Sequence, residues 1–401
     1  MKAVSSQPKL TVMSAFQSQC DWSESGIVEL TGRVDGPALL PPGDAASAAR
    51  ALTRHIDTAT GGRVCLDGAR LLAERAAFTG WTRAGAMSLG GRSRLLESAD
   101  GWAAVSCARP DDVALLAALI SAEIGEDPWP PVAKWIARHS NADFDDRAEL
   151  LGIAGGSVGW SPPSAPPQPG PPRDVDGMLV VDFSALWAGP LCAHLLGLAG
   201  ARVVKVETPT RPDGARRGNA EFYRLLHGGH RSVILDPTAP RERRRLQSLV
   251  AAADIVIEAS RPRALAAFGL DAKEHVRRGT TWISITSHGR LRNRVGFGDD
   301  VAASSGLVAL DDDGAPLFVG DAIADPLAGL TAAACAMSGA GGRMWDISMS
   351  AVVSATLAGP TVAPSRPAPG LATPPQYRAP TGSAPAPGAD TAEVLRELGI
   401  A

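Results

Sequence analysis

Apolar positions follow one rhythm through the second half of the chain. Met178–Phe183, Arg202–Glu207, Ser232–Asp236, Asp254–Glu258 and Trp282–Thr286 are short, nearly continuous apolar runs. Such runs read as strands buried on both faces. Between them, apolar residues recur at helical spacing over about Pro190–Leu198, over Arg241–Ala252 and in a short piece before Trp282. Pro190 suits a first helical turn, where a missing N–H costs nothing, and Gly200 suits a helix stop. Alternating strands and helices of this length predict an α/β fold with an open, mostly parallel sheet. Beyond Gly306 the pattern predicts a hairpin-like piece, a small-residue helix over about Pro326–Met337, and a strand–helix pair over Arg343–Leu357.

The first half reads differently. Residues 1–21 are expected to be a flexible arm, and residues 22–160 a smaller α+β domain. Within that domain a helix covers Ala45–His55, and two strands flank an Asp100-Gly101 hairpin turn. A helix starts near Asp111, and further helical pieces hold Trp135 and Arg147–Leu151. Ser161–Pro172 (SPPSAPPQPGPP) cannot form helix or central strand, so 161–173 is a stiff linker before the main domain, 174–357. Residues 358–388 are Ala/Pro/Gly-rich and expected to be disordered or draped on the surface. Residues 389–401 form a capped helix. The halves echo one another: Ser25-Gly26 and Ser305-Gly306, and Gly61-Gly62-Arg63 and Gly341-Gly342-Arg343, are both 280 residues apart. A duplication whose first copy lost its α/β half explains both.

Composition narrows the class. At 401 residues with 45% hydrophobic and 20% charged side chains, the chain can bury a large core. A net charge of −3 gives no reason to expect nucleic acid or an anionic membrane. Five scattered cysteines without a CxxC pair argue against a disulfide framework or zinc, and for a reducing, cytoplasmic setting. No stretch reads as a signal peptide or membrane span.

Asp325, just before Pro326 and an apolar helix, reads locally as an N-cap, although a carboxylate at a helix N-terminus also suits a nucleophile. Asp321 reads as a loop or surface residue. Glu207 ends a strand where a dinucleotide enzyme places its ribose-binding acid, but no GxGxxG accompanies it, which disfavours NAD. The stretch Arg211–Arg245 is rich in arginine, a residue suited to phosphate; Arg216/Arg217 and His230/Arg231 are better placed than the run 241–245, which reads as a solvated helix face. Gly90-Gly91 reads as a turn, or as backbone passing close to a ligand. The seven histidines show no metal-ligand spacing.

Several ordered stretches over 178–357 resemble the family III CoA-transferases: VVDFSALWAGP, GARVVKVE, HRSVILD, ADIVIEASRP, WISITSHG, SGLVAL, ADPLAGL and GGRMWDISM. Residues 22–150 are similar to later parts of the same family, so the order is rearranged into two complementary partial copies. The resemblance implies a Rossmann-like sheet and transfer of CoA between an acyl-CoA and a carboxylic acid. It places the catalytic carboxylate at Asp325, in a D-x-x-x-G pattern completed by Gly329. The matching place in the first copy, Asp44, has Ala48 instead of glycine, which implies a dead site. Contacts to CoA carry over to Trp187, Ala188, Arg216, His230, Arg231, Glu258 and Arg261, and a shielding glycine loop to Gly90 and Gly91. No cofactor is bound permanently: CoA and acyl-CoA are substrates, and a homodimer is expected from the family. Asp299 stands where a racemase would carry histidine, which argues against racemase chemistry. A catalytically impaired CoA-binding homologue is the competing reading, favoured by Ala267 where the family has arginine.

Overall fold

Helix formation begins at Ala15 in the computed structural model, which describes residues 15–159, 165–259, 265–358 and 372–401. The expected arm therefore has to be shortened, because helix Ala15–Ser25 runs through it. The physical reason is Trp22, which is buried and donates its indole N–H to Gly43 O at 2.9 Å, where Ser18 Oγ also donates. Helix Ala45–Ala59 follows, with Ala45, Ala49 and Ile56 on its buried face, then the short helices Gly68–Leu71 and Glu74–Thr79.

Strands β1 (Ser93–Glu97) and β2 (Trp102–Ser106) form the expected antiparallel hairpin, and β3 (Gly155–Ser157) pairs with β2. The sequence pattern misses β3, since Gly-Gly-Ser carries neither apolar alternation nor strand propensity. Helices Asp112–Ile120, Trp129–Ile136 and Asn141–Leu151 bury Leu116, Leu119, Val132, Ile136 and Phe144 in one cluster with this sheet. The last helix opens with a reciprocal Ser140/Asp143 capping box.

The apolar runs of the second half become β4 (Leu179–Asp182), β5 (Arg202–Glu207), β6 (Arg231–Ile234), β7 (Ile255–Glu258) and β8 (Thr281–Thr286). The hairpin β9 (Val308–Leu310) and β10 (Pro316–Phe318) precedes β11 (Met344–Ser348). The main sheet is wholly parallel, in the order β11-β8-β7-β4-β5-β6. Taken in sequence order these six strands run 3-2-1-4-5-6 from the β6 edge, the doubly wound Rossmann arrangement. Strand order reverses between β4 and β7, and a crevice opens at such a switch point beside the carboxyl ends of the strands.

One face of the sheet carries helices Pro240–Ala251, Ala272–Arg277 and Thr391–Glu397. The other carries helices Ala188–Leu198 and Ala324–Ala336, and these share a single core with helix Ala45–Ala59. That cluster extends from Trp22 to Val353, so apolar burial joins the two sides of the linker. Residues 372–388 drape over the surface through specific bonds: Thr373 N donates to Ser23 O, and Arg378 forms a bidentate pair with Glu74, whose carboxyl is buried.

Candidate active site

Asp325 is the second residue of helix Ala324–Ala336, two positions past the N-cap Ile323 and not itself the expected cap. Its side chain caps nothing and accepts no hydrogen bond from any described residue. Gly329, one turn on, shares its face. A Cβ at Gly329 would stand 2.6 Å from Ala188 O and 3.1 Å from Leu191 Cβ, so the helix crosses the start of Ala188–Leu198 backbone to backbone. The spacing D-x-x-x-G thus has a packing cause. The crossing sets the first turns of the Asp325 helix against the turn that joins β4 to helix Ala188–Leu198.

Asp321 corrects the surface reading. It is fully buried, and Arg75 clamps it with two bonds, Nε to Oδ2 at 2.8 Å and Nη2 to Oδ1 at 2.5 Å. The guanidinium lies 4.8 Å from the Trp187 ring centroid and 5.6 Å from that of Trp81. Trp81 in turn underlies the glycine turn, since a Cβ at Gly90 would meet it at 3.3 Å. Gly91 adopts φ +69, a left-handed conformation that glycine takes without cost.

Three carboxyls, Asp299, Asp321 and Asp325, act on this one guanidinium, and Asp300 lies beside them. Burial pushes Asp325 up to about 7; Arg75 opposes the shift and the three neighbouring aspartates reinforce it. Burial, then the Asp321 charge, pushes Asp299 up to about 6. Asp299 still accepts Ala322 N–H at 2.8 Å and thereby shapes the turn leading into Asp325, where Ala322 takes φ +45. Burial likewise raises Asp300 to about 7; it accepts from Ser106 Oγ at 2.6 Å and from Phe297 N–H.

The turn after β4 brings Trp187 and Ala188 to this place. A Cβ at Gly189 would lie 2.1 Å from Ser184 Cβ, so only glycine lets the turn fold back on the helix it starts. Trp187 is buried against Phe222, edge to face at 5.4 Å, and its indole N–H has no hydrogen-bond partner among the described residues.

Asp325, Trp187 and Ala188 therefore converge, with Gly90 joined to them through Trp81 and Arg75. Other residues singled out in the sequence have partners within the protein. Arg216 pairs with Glu207 through Nε at 3.0 Å, donates to Pro385 O, and lies over the Tyr223 ring. Arg231 pairs with Glu397 and Glu393 of the last helix. Glu258 is buried and pairs with Arg290, which also reaches Ser284 Oγ. His230 is buried beside Gly197, and burial lowers its pKa to about 3, so the ring is neutral near neutral pH. Arg261, as well as Pro262, lies outside the described residues. Arg75, which no motif marks, is the residue that sequence reasoning overlooks: its partner lies 246 positions away. No group of three His, Cys, Asp or Glu among the described residues is arranged to hold a metal, and none of the described helices is long and apolar enough to cross a membrane.

Residues 175–365 match the sequence model of CoA-transferase family III. The chain is 32% identical over 177 residues to a succinyl-CoA–D-citramalate CoA-transferase from Chloroflexus aurantiacus, covering 41% of this chain and 44% of that one. It is 28% identical over 211 residues to a succinate–glutarate CoA-transferase from Agrobacterium fabrum, covering 46% and 53%. A solved CAIB/BAIF family protein from Brucella suis is 27% identical, with a TM-score of 0.41 over 48% of this chain and 56% of that one. The chain spans about half the length of the curated relatives it matches.

Proposed function

We propose, from the membership of residues 175–365 in CoA-transferase family III, that the protein moves CoA between an acyl-CoA and a carboxylic acid with Asp325 as nucleophile. The observation that carries this reading is the uncommitted Asp325 carboxylate: Asp299, Asp300 and Asp321 each have a hydrogen-bonding partner, and Asp325 has none among the described residues. An Asp325 oxygen attacks the thioester carbonyl, the C–S bond breaks, and an aspartyl–acyl anhydride forms with CoA thiolate as leaving group. The thiolate then attacks the Asp325 carbonyl carbon, giving an aspartyl–CoA thioester and releasing the donor acid as its carboxylate. The acceptor carboxylate attacks that thioester, giving a second anhydride and thiolate. Attack of the thiolate on the acceptor acyl carbon yields the new acyl-CoA and restores Asp325.

Trp187 and Ala188 flank the ligand in this reading, and the Gly90-Gly91 turn covers it. Arg216, His230, Arg231, Glu258 and Arg261 complete the proposed CoA contacts. His230 contributes as a neutral hydrogen-bonding ring. Donor and acceptor are carboxylic acids of the kind the relatives' names contain, namely succinate, citramalate and glutarate.

Mass spectrometry of the intact protein after mixing with succinyl-CoA tests the reading. The expected result is a covalent CoA or acyl adduct that maps to Asp325 and is absent from Asp325→Asn. A wild-type protein that never acquires such an adduct, and exchanges no CoA between acids, overturns it. The competing reading, a CoA-binding protein without turnover, draws on the internal pairing of Arg216, Arg231 and Glu258. It requires saturable acyl-CoA binding with no adduct.

A further inference from the structure

The turn between β4 and helix Ala188–Leu198 is strained, and side chains rather than the turn's own backbone hold it. Leu186 adopts φ +69, a left-handed conformation that a branched residue takes only at a cost of about 1–2 kcal/mol. Its N–H donates to Asp213 Oδ1 at 3.0 Å. Two residues earlier, Ser184 O accepts from Lys205 Nζ at 2.8 Å, while Ser184 N–H and hydroxyl both donate to Asp182 Oδ1. Lys205 and Asp213 are themselves an ion pair at 2.8 Å, with both side chains 2% exposed or less. Asp182 Oδ2 lies 3.9 Å from the same ammonium. Asp213 is tied down further, since its own N–H donates to Glu207 Oε1 at 2.7 Å.

Three buried side chains thus hold the backbone that leads into one strained residue. The next two residues are Trp187, on whose ring Arg75 rests, and Ala188, whose carbonyl packs against Gly329 beneath Asp325.

We propose that Lys205 and Asp213 are positioning residues for the CoA-transfer reaction, holding the Leu186 turn so that Trp187 and Ala188 stand correctly against Asp325 and the bound thioester. This rests on the reading of Asp325 given above. Neither residue touches the reacting atoms. The ammonium holds the Asp213 carboxyl in place at 2.8 Å, and that carboxyl accepts the Leu186 N–H and keeps Leu186 left-handed. Lys205 lies within reach of both Asp182 and Asp213, so its loss leaves two buried carboxyls beside the turn without the ammonium between them.

The experiment compares Asp213→Ala, Asp213→Asn, Lys205→Met and the double variant Leu186→Gly/Asp213→Ala in the full chain. Adduct formation is followed with succinyl-CoA, and steady-state exchange gives kcat and KM. Asp213→Asn keeps an acceptor for Leu186 N–H, so its KM is expected to stay within about threefold of wild type. Asp213→Ala and Lys205→Met are expected to raise KM about tenfold or more and to slow adduct formation. Glycine holds φ +69 without help, so the double variant is expected to recover most of the loss relative to Asp213→Ala. A merely structural role for the pair would lower the melting temperature without this ordering of KM values and without rescue. Should Asp213→Ala fail to fold, Asp213→Asn against Lys205→Met carries the same comparison. An adduct in wild type that forms equally fast, with unchanged KM, in folded Asp213→Ala or Lys205→Met overturns this proposal alone. No adduct in wild type overturns the Asp325 reading, and this proposal with it.

Discussion

Asp325 is a carboxyl whose protonation and chemistry pull in opposite directions. Held up to about 7 by burial and three neighbouring aspartates, it carries its proton at acid pH and, as the proposed nucleophile, must lose it to attack. The rate of adduct formation should therefore rise with pH through about 7 and level off above it, which a stopped-flow or quench series checks. The stability linkage has the opposite sign. The folded-state pKa is raised above the usual carboxylate range, so the protonated fold is favoured at low pH and this contribution is lost as pH climbs through 7. Asp325→Asn should accordingly raise the melting temperature at pH 8 by about 2 °C or more and leave it unchanged at pH 4, while lowering turnover about a thousandfold or more. Arg75 makes a second residue-scale case. Its removal leaves Asp321 buried without its cation, so Arg75→Ala should cost about 3–5 kcal/mol in denaturant unfolding. Lysine cannot reproduce the two-pronged contact and should restore only part.

Elements in this chain are placed by what their glycines permit. Helix Ala324–Ala336 approaches helix Ala188–Leu198 because Gly329 has no Cβ, and Gly329→Ala forces that Cβ against Ala188 O. The expected result is a loss of about 1–3 kcal/mol, with a larger fall in adduct formation than in acyl-CoA binding, because the altered crossing lies directly beneath Asp325. Much of this level is legible in the sequence. Apolar runs mark five of the six sheet strands to within a residue or two, since a strand covered on both faces has little choice of side chain. The D-x-x-x-G pattern marks the helix that carries Asp325. Illegible are the partners. Nothing near Arg75 announces Asp321, and nothing in VVKVE says that the lysine turns inward to a loop eight residues later. A charged side chain's partner depends on which loops meet in space, and local periodicity carries no record of that. For the same reason Arg231, an apparent phosphate ligand, is engaged by acids of the terminal helix.

At the scale of the whole molecule, the proline-rich linker does not divide the protein into two separate cores. Helix Ala45–Ala59 shares its apolar face with the helices of the sheet domain. A fragment beginning at residue 174 would therefore expose the faces of Leu191, Leu195 and Leu330 that this shared cluster covers. Such a fragment should lack a cooperative thermal transition by circular dichroism, whereas the full chain should melt cooperatively. The draped segment adds a second tie, through Arg378 and Glu74.

The Arg75–Asp321 clamp joins residues that travel on one polypeptide. Their meeting is a loop closure, not an encounter between molecules, and the tether keeps each at a high effective concentration beside the other however dilute the solution. Assembly of that charged cluster should be indifferent to abundance in the cell: a single copy of the gene product brings both sides with it.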